Sequence, residues 1–169
     1  MFRQDTGQYK YLDKYVGRQI NVANFKQSLL SFLDNGTHYL VGHIPGILIK
    51  LRNLYETILT MSTSRFYASS LLILYDGHSN SQKKADIKMI DFANCINSLD
   101  LVCNYPPTTN GPDGGYLLGL RTLITNFEEI YSDLTSGIGK DGRVFDQDGH
   151  LLISSLSKSR RAVAEIGVI

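Results

Sequence analysis

The chain has 169 residues, 43% of them hydrophobic and 20% charged, which suits one domain with a real core and excludes wholesale disorder. Its net charge of +1 argues against a broad nucleic-acid surface but permits a local basic pocket. No apolar run is long enough to span a membrane, and no signal peptide is expected at Met1.

Residues 1–15 read as an edge strand followed by a loop, with a turn supplied by Asp5-Thr6-Gly7. Lys10, Lys14 and Arg18 place three positive charges within nine residues. They form either a solvated face or an anion-binding edge, where Gly17 would let backbone amides join Arg18 at a phosphate. Residues 21–34 form the first helix. Asn21 can cap it, Val22, Phe25, Leu29, Phe32 and Leu33 share one side, and Asn35-Gly36 ends it. Residues 43–61 hold the second helix, with Pro45 in its first turn. Ile44, Ile47, Leu48, Leu51, Leu54, Tyr55, Ile58 and Leu59 give it a wide apolar face. His38 and His43, five residues apart with no third ligand nearby, read as ordinary loop histidines.

The stretch from Arg65 to Ala93 reads as a hairpin. Two apolar runs, Arg65 to Asp76 and Ile87 to Ala93, flank a long polar connection, Gly77-His78-Ser79-Asn80-Ser81-Gln82-Lys83-Lys84. Alternation along the second strand puts Ile87, Met89 and Asp91 on one face. A carboxylate on an otherwise apolar face is costly unless a positive group meets it. Asp91 is therefore either a strand-end residue capping the next turn or a metal ligand placed where a nucleotide's magnesium would sit.

Residues 94–112 read as irregular, marked by Pro106-Pro107 and Asn110-Gly111-Pro112. Cys95 and Cys103 have no metal-site spacing and are expected to be free thiols in a reducing compartment, cytoplasm or nucleus. A third helix follows Asp113-Gly114-Gly115 and runs to about Leu134, with Leu117, Leu120, Ile124, Phe127, Tyr131 and Leu134 at helical spacing. Its glycine-led start leaves amides that could face an anion, or is a plain helix start. From Thr135 the chain becomes glycine-punctuated, with a small hairpin turning at Asp148-Gly149. Asp146-Gln147-Asp148-Gly149 faintly suggests a calcium loop, but Ser157 stands where the bidentate Glu is needed. Lys158 to Arg161 makes a short basic tail.

Four blocks, in this order, resemble the C-terminal part of the inositol polyphosphate kinases, and within them the inositol hexakisphosphate kinases. They are Lys14-Tyr15-Val16-Gly17-Arg18 leading into Phe25 and Leu29; Arg65-Phe66-Tyr67-Ala68-Ser69-Ser70-Leu71-Leu72; Met89-Ile90-Asp91-Phe92-Ala93; and Gly111-Pro112-Asp113-Gly114-Gly115-Tyr116-Leu117-Leu118-Gly119-Leu120. The resemblance spans about Met1 to Ile130. It implies an α+β fold: the C-terminal lobe of a kinase-like domain over residues 1–135, an antiparallel hairpin packed with helices, its N-terminal lobe missing. Residues 136–169 would be a divergent, flexible tail.

By that resemblance the function is ATP-dependent phosphoryl transfer to an inositol polyphosphate such as inositol hexakisphosphate. Asp91 would bind the Mg2+ that bridges the phosphates of ATP, with Ser70 as a polar contact on the neighbouring strand beside Ser69. Lys14, Arg18 and Arg65 would face the polyanionic substrate. The family also carries an upstream pattern, Pro-x-x-x-Asp-x-Lys-x-Gly, which none of Pro45, Pro106, Pro107 and Pro112 begins. The sequence is thus expected to be either a truncated C-terminal part, poor or inactive as a kinase by itself, or a non-catalytic phosphate-binding or protein-interaction module. No nucleic-acid partner and no membrane span are expected.

Overall fold

In the computed structural model, which describes residues 2–77, 85–97 and 111–136, all three long helices anticipated from apolar spacing are present. A two-residue hairpin opens the chain, β1 (Phe2–Arg3) paired antiparallel with β2 (Gln8–Tyr9) around a turn in which Gly7 takes φ 66°. A single helical turn follows, α1 (Lys14–Gly17), started by Asp13, whose carboxylate accepts from the Tyr15 and Val16 amides. α2 (Val22–Leu33) begins with a reciprocal cap. The Ala23 and Asn24 amides donate to the Asn21 side chain, and the Asn21 amide donates back to Asn24 Oδ1 at 2.6 Å. Leu33 is buried and Leu29 and Phe32 pack behind it, but Val22 is 97% exposed. The helical stripe is right in period and one turn too long, because the first turn projects beyond the core.

α3 (Ile44–Thr60) has Pro45 in its first turn, where the missing N–H has no helical partner to lose, and follows a 3-10 turn at Val41–His43. α4 (Gly114–Thr135) packs chiefly on α3 and also on α2. Their shared core holds Ile44, Ile47, Leu51, Ile58, Leu120, Phe127 and Ile130. Leu59 and Tyr131, at the edges of the predicted stripes, are exposed. Lys26 bridges α2 to α4 through Glu129 and Asp133.

The strands differ from one uninterrupted hairpin. The first apolar run is two strands, β3 (Ser64–Phe66) and β4 (Ser70–Leu74); the second holds β5 (Asp86–Ile90), and a further strand, β6 (Cys95–Asn97), stands in the segment expected to be irregular. β4 pairs with β5 and β3 with β6, both antiparallel. The rungs on either side of the break are Phe66–Cys95 and Ser70–Ile90, so residues 67–69 face residues 91–94. That mismatch of one residue splits the hairpin, as a bulge does. Both sides bend through the left-handed region, at Ala68 (φ 55°) and Asp91 (φ 67°).

Leu71, Ile73, Ile87 and Met89 face the helices, and β5 lies on α3. Buried Asn35 ties the N-terminal hairpin to the far end of β4. Its side chain accepts from the Thr37 and His38 amides and donates to the Gly77 carbonyl, while its own carbonyl accepts from the Gln4 amide. Among the described residues no helix is long and apolar enough to cross a membrane. The polar connection at 78–84, Cys103, the Asp146–Gly149 motif and the tail after residue 136 lie outside the described residues.

Candidate functional site

Asp91 does not continue the inner face of β5. Ile87 and Met89 point to the core as alternation requires, but β5 ends at Ile90, and the positive φ of Asp91 turns its carboxylate to solvent. Asp tolerates this conformation better than most residues, because its short polar side chain relieves the clash locally. Among the described residues its carboxylate has no hydrogen bond or ion pair, so it does not cap the following turn. That turn is closed by the backbone instead, Cys95 N donating to the Phe92 carbonyl at 3.0 Å.

Ser70 starts β4 and pairs with Ile90, the residue before Asp91. The break in the hairpin therefore brings Ser70 and Asp91 to one end of the same ladder. On the outer face of that ladder Leu72 and Ile90 are exposed diagonal neighbours. The arrangement is an open carboxylate at the rim of an apolar surface, with a serine beside it. An ion that brings phosphate oxygens with it needs only one or two protein carboxylates, so the donor set at Asp91 suits a metal arriving with a nucleotide.

The cations are placed differently. Lys14 and Arg18 are exposed at α1, with Lys14 Nζ 5.2 Å from the centroid of the Tyr15 ring. Among the described residues, neither side chain has a hydrogen bond or ion pair to another element. Arg65 is 7% exposed, in β3 opposite Ile96, and its guanidinium donates to the Ser64 carbonyl at 2.8 Å. It is a strand residue turned onto backbone rather than a cation open to solvent.

One residue of this region was not anticipated in its full role. Asp113 starts α4, where an Asp before an apolar-periodic run is a readable cap signal. Its Oδ1 accepts from the Tyr116 amide at 3.0 Å, so the carboxylate supplies the anion that the glycine-led helix start could have taken from outside. Its Oδ2 accepts from the Phe66 amide at 2.8 Å, across to β3, which no local pattern reveals. The Tyr116 ring packs on Phe66 at 5.3 Å. The Tyr116 hydroxyl is buried beside Ser69 without a hydrogen bond of good geometry among the described residues, and burial pushes its pKa up. Burial also raises the Cys95 thiol, and Cys95 is a free cysteine.

Helices packed on small antiparallel ladders define an α+β kinase-like fold. An inositol phosphate multikinase structure superposes with a TM-score of 0.63 at 18% identity, over 76% of this chain and 58% of that one. The Saccharomyces cerevisiae inositol phosphate multikinase, determined with ADP and Mn2+, superposes with a TM-score of 0.57 at 20% identity, over 70% of this chain and 50% of that one. At such identities the likeness establishes the fold. The family identity comes from sequence: the inositol polyphosphate kinase profile matches residues 1–128, and the chain belongs to that family. It is 34% identical over 153 residues to inositol hexakisphosphate kinase 3 of Homo sapiens, covering 77% of this chain and 37% of that protein. An uncharacterised inositol polyphosphate kinase of Schizosaccharomyces pombe is 37% identical over 147 residues, covering 74% of this chain and 15% of that protein.

Proposed function

We propose that this chain carries the metal- and nucleotide-facing part of an ATP-dependent kinase acting on an inositol polyphosphate such as inositol hexakisphosphate. The observation that carries this reading is the open Asp91 carboxylate beside Ser70, at the end of the β4–β5 ladder, in a member of the inositol polyphosphate kinase family. Asp91 would hold Mg2+ together with the phosphates of ATP, and the ion would offset charge developing on the transferred phosphoryl group. Ser70 would contact the nucleotide by hydrogen bonding. Leu72 and Ile90 would give its planar base an apolar surface. Lys14 and Arg18 would meet the polyanion, Arg18 with bidentate geometry. Arg65, buried in β3 with its guanidinium on the Ser64 carbonyl, would stand beneath that surface rather than open to it.

A second reading is a non-catalytic phosphate-binding or interaction module, supported by the exposed cations Lys14 and Arg18, which can meet an anion without any catalytic group. Calorimetric titration of inositol hexakisphosphate into the chain, with and without Mg2+ and ATP, tests both readings. The kinase reading expects inositol phosphate binding that is lost in the Lys14→Ala/Arg18→Ala double variant, and nucleotide binding that is lost in Asp91→Ala. Binding of inositol hexakisphosphate alone, indifferent to Asp91 and nucleotide, would leave the module reading. Binding of neither ligand would sink both.

A further inference from the structure

We infer that Asp113 is a positioning residue that sets the open end of the β4–β5 ladder, and through it the placement of Ser70 and Asp91. An ordinary helix cap sits at the surface and serves one helix. Asp113 is only 9% exposed, and its two oxygens serve two elements: Oδ1 the start of α4, Oδ2 the Phe66 amide 47 residues away in sequence. A buried carboxylate persists when its lone pairs are met, and here the second partner lies immediately before the break in the hairpin.

From Phe66 the chain has only three residues in which to reach Ser70. Ala68 spans part of that distance in the left-handed region, which a residue with a Cβ adopts only when its surroundings impose it. The turn is clamped on both sides of one residue. The Phe66 amide donates to Asp113, and the Phe66 carbonyl accepts from both the amide and the hydroxyl of Ser69. Across the break stands Asp91, the other non-glycine residue at positive φ among those described. Both strained residues thus flank the Ser70–Ile90 rung, and Asp113 holds the β3 side of the break.

This inference uses the Asp91 metal reading only for its functional consequence, so its test has two arms. Asp113→Ser keeps a hydroxyl able to cap α4 but too short to reach Phe66 as well. In amide hydrogen exchange on the full chain without ligand, Phe66 and Ser69 should exchange at least tenfold faster, and the Asp91 amide resonance should shift. Leu48 and Leu51 in α3 should keep wild-type rates. Faster exchange at Phe66 alone, with Ser69 and Asp91 unchanged, would make Asp113 a simple cap and overturn the inference. If Asp113→Ser loses its cooperative thermal transition, Asp113→Asn is measured instead. Loss of the transition in both would also overturn it, by making Asp113 a support of the whole core.

The second arm titrates ADP with and without Mn2+. Asp113→Ser should reduce the Mn2+-dependent part of ADP affinity about tenfold and leave the Mn2+-independent part as in wild type. If Asp91→Ala binds as wild type does, the metal reading fails, while the exchange arm still decides the role of Asp113.

Discussion

Asp86, at the start of β5, stands between two lysines. Lys50 Nζ lies 2.8 Å from Oδ1 and Lys88 Nζ 3.2 Å from Oδ2. The hydrogen bond from Lys50, then that from Lys88, then the Ile87 amide hold its carboxyl well below the usual carboxylate range. A folded-state pKa below the unfolded one contributes stability that is present above about pH 4 and is lost as pH falls through the folded value. The stability gap between wild type and Asp86→Asn should therefore narrow as pH drops from about 5 towards 2. Because the partners are well exposed, it should also narrow with added salt, both checked by chemical denaturation. Asn35 is the opposite case, fully buried with donor and acceptor both used. Asn35→Ala strands the Thr37 and His38 amides and leaves the Gly77 carbonyl to Gln4 Nε2 alone, and should cost about 2 kcal/mol in urea unfolding.

Capping and burial decide the elements. Asn21 and Asn24 satisfy each other's backbone at the start of α2, so Asn21→Ala should cost about 1 kcal/mol. Phe127 is fully buried at the contact of α3 and α4, and Phe127→Ala should cost about 3–5 kcal/mol through lost burial and the cavity left behind. Both effects are readable by urea unfolding, and their ratio separates a surface cap from a core contact. The strands carry less. Each ladder has two strands, and such pairs stand only when packed against something else, here the helices beneath Leu71, Ile73, Ile87 and Met89.

At the scale of the molecule, one face of the β4–β5 ladder is committed to the core while the other shows Leu72, Leu74 and Ile90 to solvent, with Phe92 beyond the strand end. On the kinase reading, Mg2+ and ATP occupy that outer face beside Asp91 and bind only the folded chain. Saturating Mg2+ and ATP should then stabilise the wild type by about 2.7 kcal/mol at a hundredfold excess over the dissociation constant. Asp91→Ala should lose most of that gain, read as a shift of the thermal midpoint. An equal rise in both proteins would place nucleotide binding away from Asp91.

The helices were legible in the sequence because their physics is local. Apolar residues recur every three or four positions, Asn21 and Asp113 stand at starts, and Pro45 sits where only a first turn tolerates it. The blocks that carry the family resemblance, Ser69-Ser70-Leu71-Leu72 and Ile90-Asp91-Phe92-Ala93, were legible for the same reason: contiguous residues keep their spacing. Three things came only with tertiary structure. A period-2 pattern runs on through Asp91 whether or not the strand does, so the break at residues 67–69 and 91–94 needed the partner strand to be seen. Arg65 has the same sequence signature buried or exposed, and only the packing of β3 turned it onto its own backbone. The second bond of Asp113 joins positions 47 residues apart, and a hydrogen bond between distant elements leaves no periodicity to read.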